Sequence, residues 1–476
     1  MLTFILGYAV VLAALGLFLS RSVRSAGDFF VAGRRLNTPL LFSTFLAANL
    51  GAGTTVGAAS LGYDYGLSAW WWVGSAGLGS LVLAFWIGPR IHHLATVYNL
   101  YTVGDFLELR YNQAVRLLTA GILWLGALAI LAGQLLAMGL ALNVVAGIPQ
   151  AWGCALGGVI VTLYFTAGGL WGSAWINSLQ VLIKAVGFCL ALGWALQDVG
   201  GWGGLQARLL ETAPQPERYL SLFGVGMRGI LAWAVILIPS FFVSPGLLQK
   251  LFGARDEGVV RRAVGLQGLC LLVYSFFPTL LGMIAFVRWP ELESSGLALP
   301  KLLADGLPTW LGGLMLAAIF SAEISSADAV LFMISTSVAR DLGPAIVRAP
   351  LTDAQMLRFG RAAAVVAGAL GVALAIWLDS IIAALVIFYS LLTVTLFAPL
   401  LGGLFSRRPT ASAAIAAMAA GVPTTLAVHA ATFGQGFGVV SPALAGIAAS
   451  VVFFTLFSLR RPVSAVRSVP LGRVED

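Results

Sequence analysis

The sequence predicts an all-α integral membrane protein with a core of two five-helix repeats inserted in opposite senses, and three observations carry that prediction. Of 476 residues, 59% are hydrophobic and only 10% charged, with a mean hydropathy of +0.95, whereas ordinary soluble domains carry about 25% charged residues. About thirteen stretches approach the roughly 20 mostly apolar residues that cross a bilayer as a helix. Two of these stretches are interrupted at their middles by glycines or prolines, and each interruption opens a block of five spans. A water-soluble enzyme, a disordered chain and a disulfide-stapled secreted domain are excluded. Cys154, Cys189 and Cys270 all lie in apolar runs and read as small hydrophobes.

In chain order the spans fall near 2–20, 38–60, 66–89, 115–144, 151–167, 171–197, 222–249, 263–287, 309–339, 359–378, 380–404, 410–431 and 437–459. The first lacks a basic leading region and a cleavage site, so it reads as a retained helix. Segments between spans are too short to fold separately, and 1–476 reads as one membrane domain. Residues 1–37 form an accessory helix and inner loop, 38–197 a first repeat, 222–404 an inverted second repeat, and 405–476 two accessory helices with a short inner tail. With the N-terminus outside and the C-terminus cytoplasmic, all but six of the 27 Lys and Arg residues fall in inner segments, as cytoplasmic loops favour. Arg208, Arg218, Arg288 and Lys301 lie outside, and Lys184 and Arg228 within spans. This distribution accounts for the net charge of +8 without nucleic acid.

The second span is interrupted at Asn49-Leu50-Gly51-Ala52-Gly53-Thr54-Thr55, and the seventh at Pro239-Ser240-Phe241-Phe242-Val243-Ser244-Pro245-Gly246. Proline removes a backbone donor and clashes with the preceding turn. Irregular backbone at membrane depth persists only where protein or a cavity surrounds it. Either break alone fits a lipid-adapted kink. As a pair in corresponding positions they point to a secondary transporter, and five spans per block make the second block run opposite to the first.

Polar residues cluster in two further spans. Ser173, Asn177, Gln180 and Lys184 repeat at intervals that put them on one helix face. Lys184 lies near mid-span, where a charge is costly. It reads either as a lysine satisfied by carbonyls or one acidic partner, or as a coupling residue. Ser321, Glu323, Ser325, Ser326 and Asp328 crowd the ninth span. Ala322, Ser325 and Ser326 at i, i+3 and i+4 can converge a carbonyl and two hydroxyls, and Glu323 or Asp328 is the expected partner of Lys184. Trp70-Trp71-Trp72 reads as an aromatic belt or as a cavity wall. The chain shows no metal-binding, P-loop or dinucleotide motif.

Several of these segments carry a resemblance. Asp28-Phe29-Phe30-Val31-Ala32-Gly33-Arg34-Arg35, Gly168-Gly169-Leu170-Trp171, Gly246-Leu247-Leu248-Gln249-Lys250 with Ala254-Arg255, and above all Ala322-Glu323-Ile324-Ser325-Ser326-Ala327-Asp328 followed by Ala339-Arg340-Asp341 resemble the solute:sodium symporter family, whose fold is that of the amino-acid transporter LeuT. The resemblance covers nearly the whole chain. It implies a LeuT-type core with broken first and sixth core helices, Na+ as coupling ion, no other cofactor and no enzymatic activity. It places sodium between the carbonyls of Ala47, Leu50 and Ala322 and the hydroxyls of Ser325 and Ser326. It places substrate by Asn49, Gly53, Thr54, the Trp70 to Val73 stretch, Ser240, Phe241 and Tyr389.

Two departures bear on the cargo. Asn177 stands where some members have an aspartate serving a second sodium, which points to one sodium per cycle. Val73 stands where sugar carriers have a glutamate, which disfavours a sugar because its hydroxyls would lose hydrogen bonds held in water. The expected activity is sodium-coupled symport of a small organic solute, an amino acid or monocarboxylate, in the cell membrane. Proton coupling or sodium-independent transport through Lys184, Glu323 and Asp328 is the alternative, with a transporter-like sensor behind it. The expected partners are the solute, Na+ and the lipid bilayer.

Overall fold

The computed structural model describes residues 30–349, 351–406 and 410–459, without the side chains of 164, 167–169, 171 and 172. The predicted first span and the C-terminal tail lie outside these residues. Helices account for nearly all described backbone, and the described residues form no strands beyond two isolated bridges, Leu36 with Ala254 and Phe437 with Val440. Every predicted span within the described residues has a helical counterpart. Among the described residues, ten helical segments are long and apolar enough to cross a membrane, so the twelve spans predicted there are not reproduced as twelve separate elements.

In chain order the principal helices are α1 (Thr38–Asn49), α2 (Val56–Tyr65), α3 (Trp70–Val82, prolonged to Val97), α4 (Val103–Arg110), α5 (Gln113–Ala146), α6 (Gln150–Asp198), α7 (Gly226–Val243), α8 (Pro245–Phe252), α9 (Glu257–Tyr274), α10 (Phe276–Arg288), α11 (Thr309–Ser337), α12 (Asp353–Trp377), α13 (Ile381–Phe405), α14 (Ala411–Thr432) and α15 (Pro442–Leu459). Local sequence sets their ends. Asn37 accepts from Leu40 N at the start of α1 and Asn112 from Val115 N at the start of α5, each satisfying an orphan donor of the first turn. Thr102 and Asp105 bond each other's backbone in a capping box at α4. Gly147, at φ +66°, closes α5 in the left-handed conformation that glycine adopts without steric cost.

The predicted spans 151–167 and 171–197 are continuous in secondary structure as α6, so no break in secondary structure divides them. Its two arms have different partners. Gly158 on the first arm packs against Leu135 of α5 and Val372 of α12, and Lys184 on the second reaches Ala47 of α1 and Ser325 of α11.

The seventh span differs from expectation. Pro239 lies inside continuous α7, and the helix is interrupted only at Ser244, at φ −59° and ψ 120°. The residue before a proline is driven out of the helical region, so Pro245 sets the break. On the turn loosened by Pro239, the hydroxyls of Ser240 and Thr393 bond the carbonyl of Ile236.

The broken helices α1–α2 and α7–α8 pack with α3, α9 and α10, whereas α5, α6, α11 and α12 pack on one another. Apolar side chains such as Leu125, Leu163, Leu182, Val273 and Trp377 face outward, as lipid contact allows. The described core is one large apolar cluster running through both groups, beside a small one of Tyr63, Ala285 and Ala298, and both breaks lie between the groups.

Candidate functional site

The first break leaves the carbonyls of Ala47, Ala48, Asn49 and Leu50 without the donors that a continuing helix would supply. Each finds another partner. Thr54 Oγ1 donates to Asn49 O at 2.9 Å and Ser326 Oγ to Ala48 O at 3.0 Å. Ser325 Oγ lies within donating distance of Ala47 O at 2.8 Å and of Ala322 O at 3.0 Å. Lys184 Nζ donates to Ala47 O at 3.1 Å, Leu50 O at 3.2 Å and Ser325 Oγ at 2.6 Å. Across the break, Gln134 Oε1 accepts from Ala52 N at 2.8 Å.

The five groups that the resemblance assigns to sodium, on Ala47, Leu50, Ala322, Ser325 and Ser326, are thus brought together in a buried cage between α1, the second arm of α6, and α11. At its centre is the amino group of Lys184, whose side chain is 1% exposed. The carboxylates expected to pair with it do not. Glu323 Oε1 accepts from Thr55 Oγ1 at 2.8 Å; Asp328 accepts from Ser173 and faces Lys250 electrostatically. Asn177 is buried on the same arm with its Oδ1 unpartnered.

Beside the cage lies a cavity with about 80 Å³ open to the centres of water-sized molecules; a single water needs about 10–15 Å³, so the space suits a small solute. Asn49, Gly53, Thr54, Ser240, Phe241 and Tyr389 line it, as the sequence suggested. Trp70 and Val73 do not. Trp70 Nε1 donates to Leu272 O and its ring packs on Trp71 and Phe276, whereas Trp72 faces the cavity and donates to Gly53 O at 2.9 Å. Trp72, Phe241 and Phe388 surround Tyr389 with ring centroids 5.2–6.4 Å away.

Trp72 belongs to the predicted Trp70 to Val73 stretch, whereas the polar lining residues Gln134 and Lys250 escaped sequence reasoning as site residues. Gln134 carried a usable signal, an amide amid the apolar run of the fourth span. Lys250 Nζ donates to Thr44 O at 3.1 Å, and no carboxylate lines the cavity among the described residues. Asn49 Nδ2 is buried without a partner. A second, smaller cavity lies on the other face of α8, lined by Pro245, Gln249, Arg116 and Asp341, and Met333 stands in the wall of both cavities.

Comparison with known proteins agrees with this architecture. The chain is 25% identical to a sodium/glucose cotransporter of Vibrio parahaemolyticus over 88% of its own length and 83% of that protein's. It is 26% identical to the sodium/pantothenate symporter of Escherichia coli K12 over 88% of each. The structure of a Na+-coupled sialic acid symporter, in a substrate-bound outward-open state, superposes with a TM-score of 0.81 at 18% identity, covering 97% of this chain and 98% of that one. MhsT in complex with L-phenylalanine superposes with a TM-score of 0.52 at 12% identity, over 88% and 97%. The family model for the sodium:solute symporter family matches residues 29–421. The chain, a multi-pass membrane transporter and no enzyme, belongs to the sodium:solute symporter family.

Proposed function

We propose that this transporter moves a small organic solute through the cavity between its two breaks by alternating access, and that the solute is a carboxylate, either a monocarboxylate or an amino acid. Family membership and sodium-coupled relatives support sodium-coupled symport as the general mode. The observation that carries the substrate class is the lining of the cavity. It joins the Lys250 ammonium and the unpaired Asn49 amide to aromatic walls, with no carboxylate among the described lining residues. A buried donor without a partner is costly, and a solute carboxylate would satisfy it while its apolar part packs on Trp72, Phe241 and Tyr389.

A hexose suits this lining less well. Its hydroxyls need acceptors as well as donors, and no carboxylate lines the cavity among the described residues. Each repeat, 38–197 and 222–404, contributes helices to both helix groups, which would move against one another, with differential binding of solute and cation setting which side is open. The concentration of Lys and Arg in alternate loops supports an outer N-terminus and a cytoplasmic C-terminus in the cell membrane.

The test is uptake by proteoliposomes containing the purified protein, under an imposed sodium gradient, with labelled monocarboxylates, amino acids and a hexose. Carboxylates should accumulate, and Lys250→Met should lower their uptake by about tenfold or more, the loss expected for one charge-assisted hydrogen bond. Preferential hexose uptake, or carboxylate uptake indifferent to Lys250→Met, would sink the substrate assignment.

A further inference from the structure

We propose that the Lys184 ammonium stands in for the sodium ion of the cage, so that this chain binds no sodium there; the inference deepens the transporter reading and rests on it. Three of the five groups that the resemblance assigns to the ion are Ala47 O, Leu50 O and Ser325 Oγ, and all three lie 2.6–3.2 Å from Nζ. A cation touching the same three oxygens would have to occupy the position of the nitrogen itself. The cage therefore fits a monovalent cation, and the chain supplies that cation on a tether.

The donor count matches the charged form. An ammonium has three N–H donors and no acceptor. Two of the three neighbouring oxygens are carbonyls that cannot donate. The third, Ser325 Oγ, has Ala47 O and Ala322 O within reach of its single hydrogen, which leaves its lone pairs to accept from Nζ. Three acceptors around one nitrogen fit the three hydrogens of an ammonium.

The cage has no place for a second positive charge. Among the described residues Lys184 forms no ion pair. Glu323, the acid that acts on it electrostatically, turns one oxygen to Thr55. The groups touching the nitrogen are neutral dipoles, suited to one cation. A second unit charge about 3 Å away would be repelled across a low-dielectric interior. The side chain reaches from α6 to α1 and α11, so the tether crosses the junction between the two helix groups.

Thermal unfolding of the purified full-length protein in sodium chloride and in choline chloride at matched ionic strength tests the assignment. The wild type should show no sodium-specific rise that Ser325→Ala and Ser326→Ala remove. Lys184→Ala opens the cage to solution and should gain a sodium-specific rise of about 3–5 °C, abolished when Ser325→Ala and Ser326→Ala are added. A sodium-specific rise in the wild type that those two serine substitutions remove would overturn the proposal. So would a folded Lys184→Ala protein with no response to sodium. Should Lys184→Ala fail to fold, radioactive sodium binding to the wild type decides: none is expected at the cage, and saturable binding abolished by the serine pair overturns it. Solute uptake is scored separately. Its absence in every buffer would overturn the transport reading, while the sodium measurements would still judge the cage.

Discussion

Two cations in this molecule, buried Lys184 and partly buried Arg116, are held in opposite ways. Arg116, near the start of α5, meets three carboxylates. Its guanidinium donates to Asp341 at 2.9 Å and Asp105 at 2.8 Å, and also to Glu108. Asp341 is further fixed by the hydroxyls of Thr102 and Ser337. Lys184 meets only neutral oxygens. A guanidinium forked across carboxylates is directional and tied to its partners' charge, which makes the Arg116 cluster a joint between α4, α5 and the end of α11. A point charge among carbonyls and hydroxyls is held by geometry that a free monovalent ion could also satisfy. The same fold thus keeps one cation as masonry and surrounds the other with an ion's own ligands.

The sharpest way to break this contrast is to remove each cation in turn. Lys184→Ala leaves the Leu50 carbonyl without its donor and a void where the side chain stood, and should cost about 3–5 kcal/mol in choline. Sodium should recover part of that loss. Arg116→Met strands three acids, and should cost about 2–4 kcal/mol with no recovery by sodium; Asp341→Asn in the same background should return part of it. Unfolding of both variants in the two salts separates the cases, and equal responses to sodium would erase the distinction.

Gly51→Ala sharpens the comparison from the backbone side. A Cβ at Gly51 would stand 2.2 Å from Ser326 Oγ and 2.6 Å from Gln134 Oε1. The expected cost is about 1–3 kcal/mol, measurable as a lower unfolding temperature. A neutral result would mean that the break is looser than its packing indicates.

The smallest effect belongs to an exposed charge outside the membrane. Asp256 caps α9, and its carboxyl is held below the ordinary carboxylate range by the backbone bond from Val259 and by the neighbouring Arg255. Because the folded-state value is the lower one, its stabilisation is present above the unfolded value of about 3.9 and fades as pH falls through the folded value. Asp256→Asn, which keeps the cap, should flatten that acid dependence slightly, as read from unfolding temperature against pH.

Much of the architecture was legible because burial in lipid demands long apolar runs and tolerates broken backbone only at protected places. The second break shows where that reasoning falls short. Two prolines looked like one wide interruption, but the Ser240 and Thr393 hydroxyls on the turn that Pro239 loosens come from different helices, and their meeting is not written locally. The tryptophan run failed for a related reason. Residues 70 and 72 project on nearly opposite sides of a helix, and only packing selects Trp72. His92, two residues after Arg90, is buried against the Ala254 carbonyl, a contact 162 residues away that its sequence neighbours do not announce. The cage residues were anticipated from the serine spacing and the resemblance. Its occupant was visible too, but the neighbouring Glu323 and Asp328 suggested an ion pair, because sequence does not reveal which way each carboxylate turns.

Met333, in the wall of both cavities, sets two clocks against each other. An unbranched thioether with three rotatable bonds is among the most adaptable side chains, and rotamer changes take picoseconds to nanoseconds where they are unhindered, whereas helix groups rock over microseconds to milliseconds. A side chain that re-packs this quickly cannot be the timekeeper of a transport cycle. The slow step must belong to the helices around it, and Met333 acts as a weatherstrip that conforms to whichever arrangement those helices have reached.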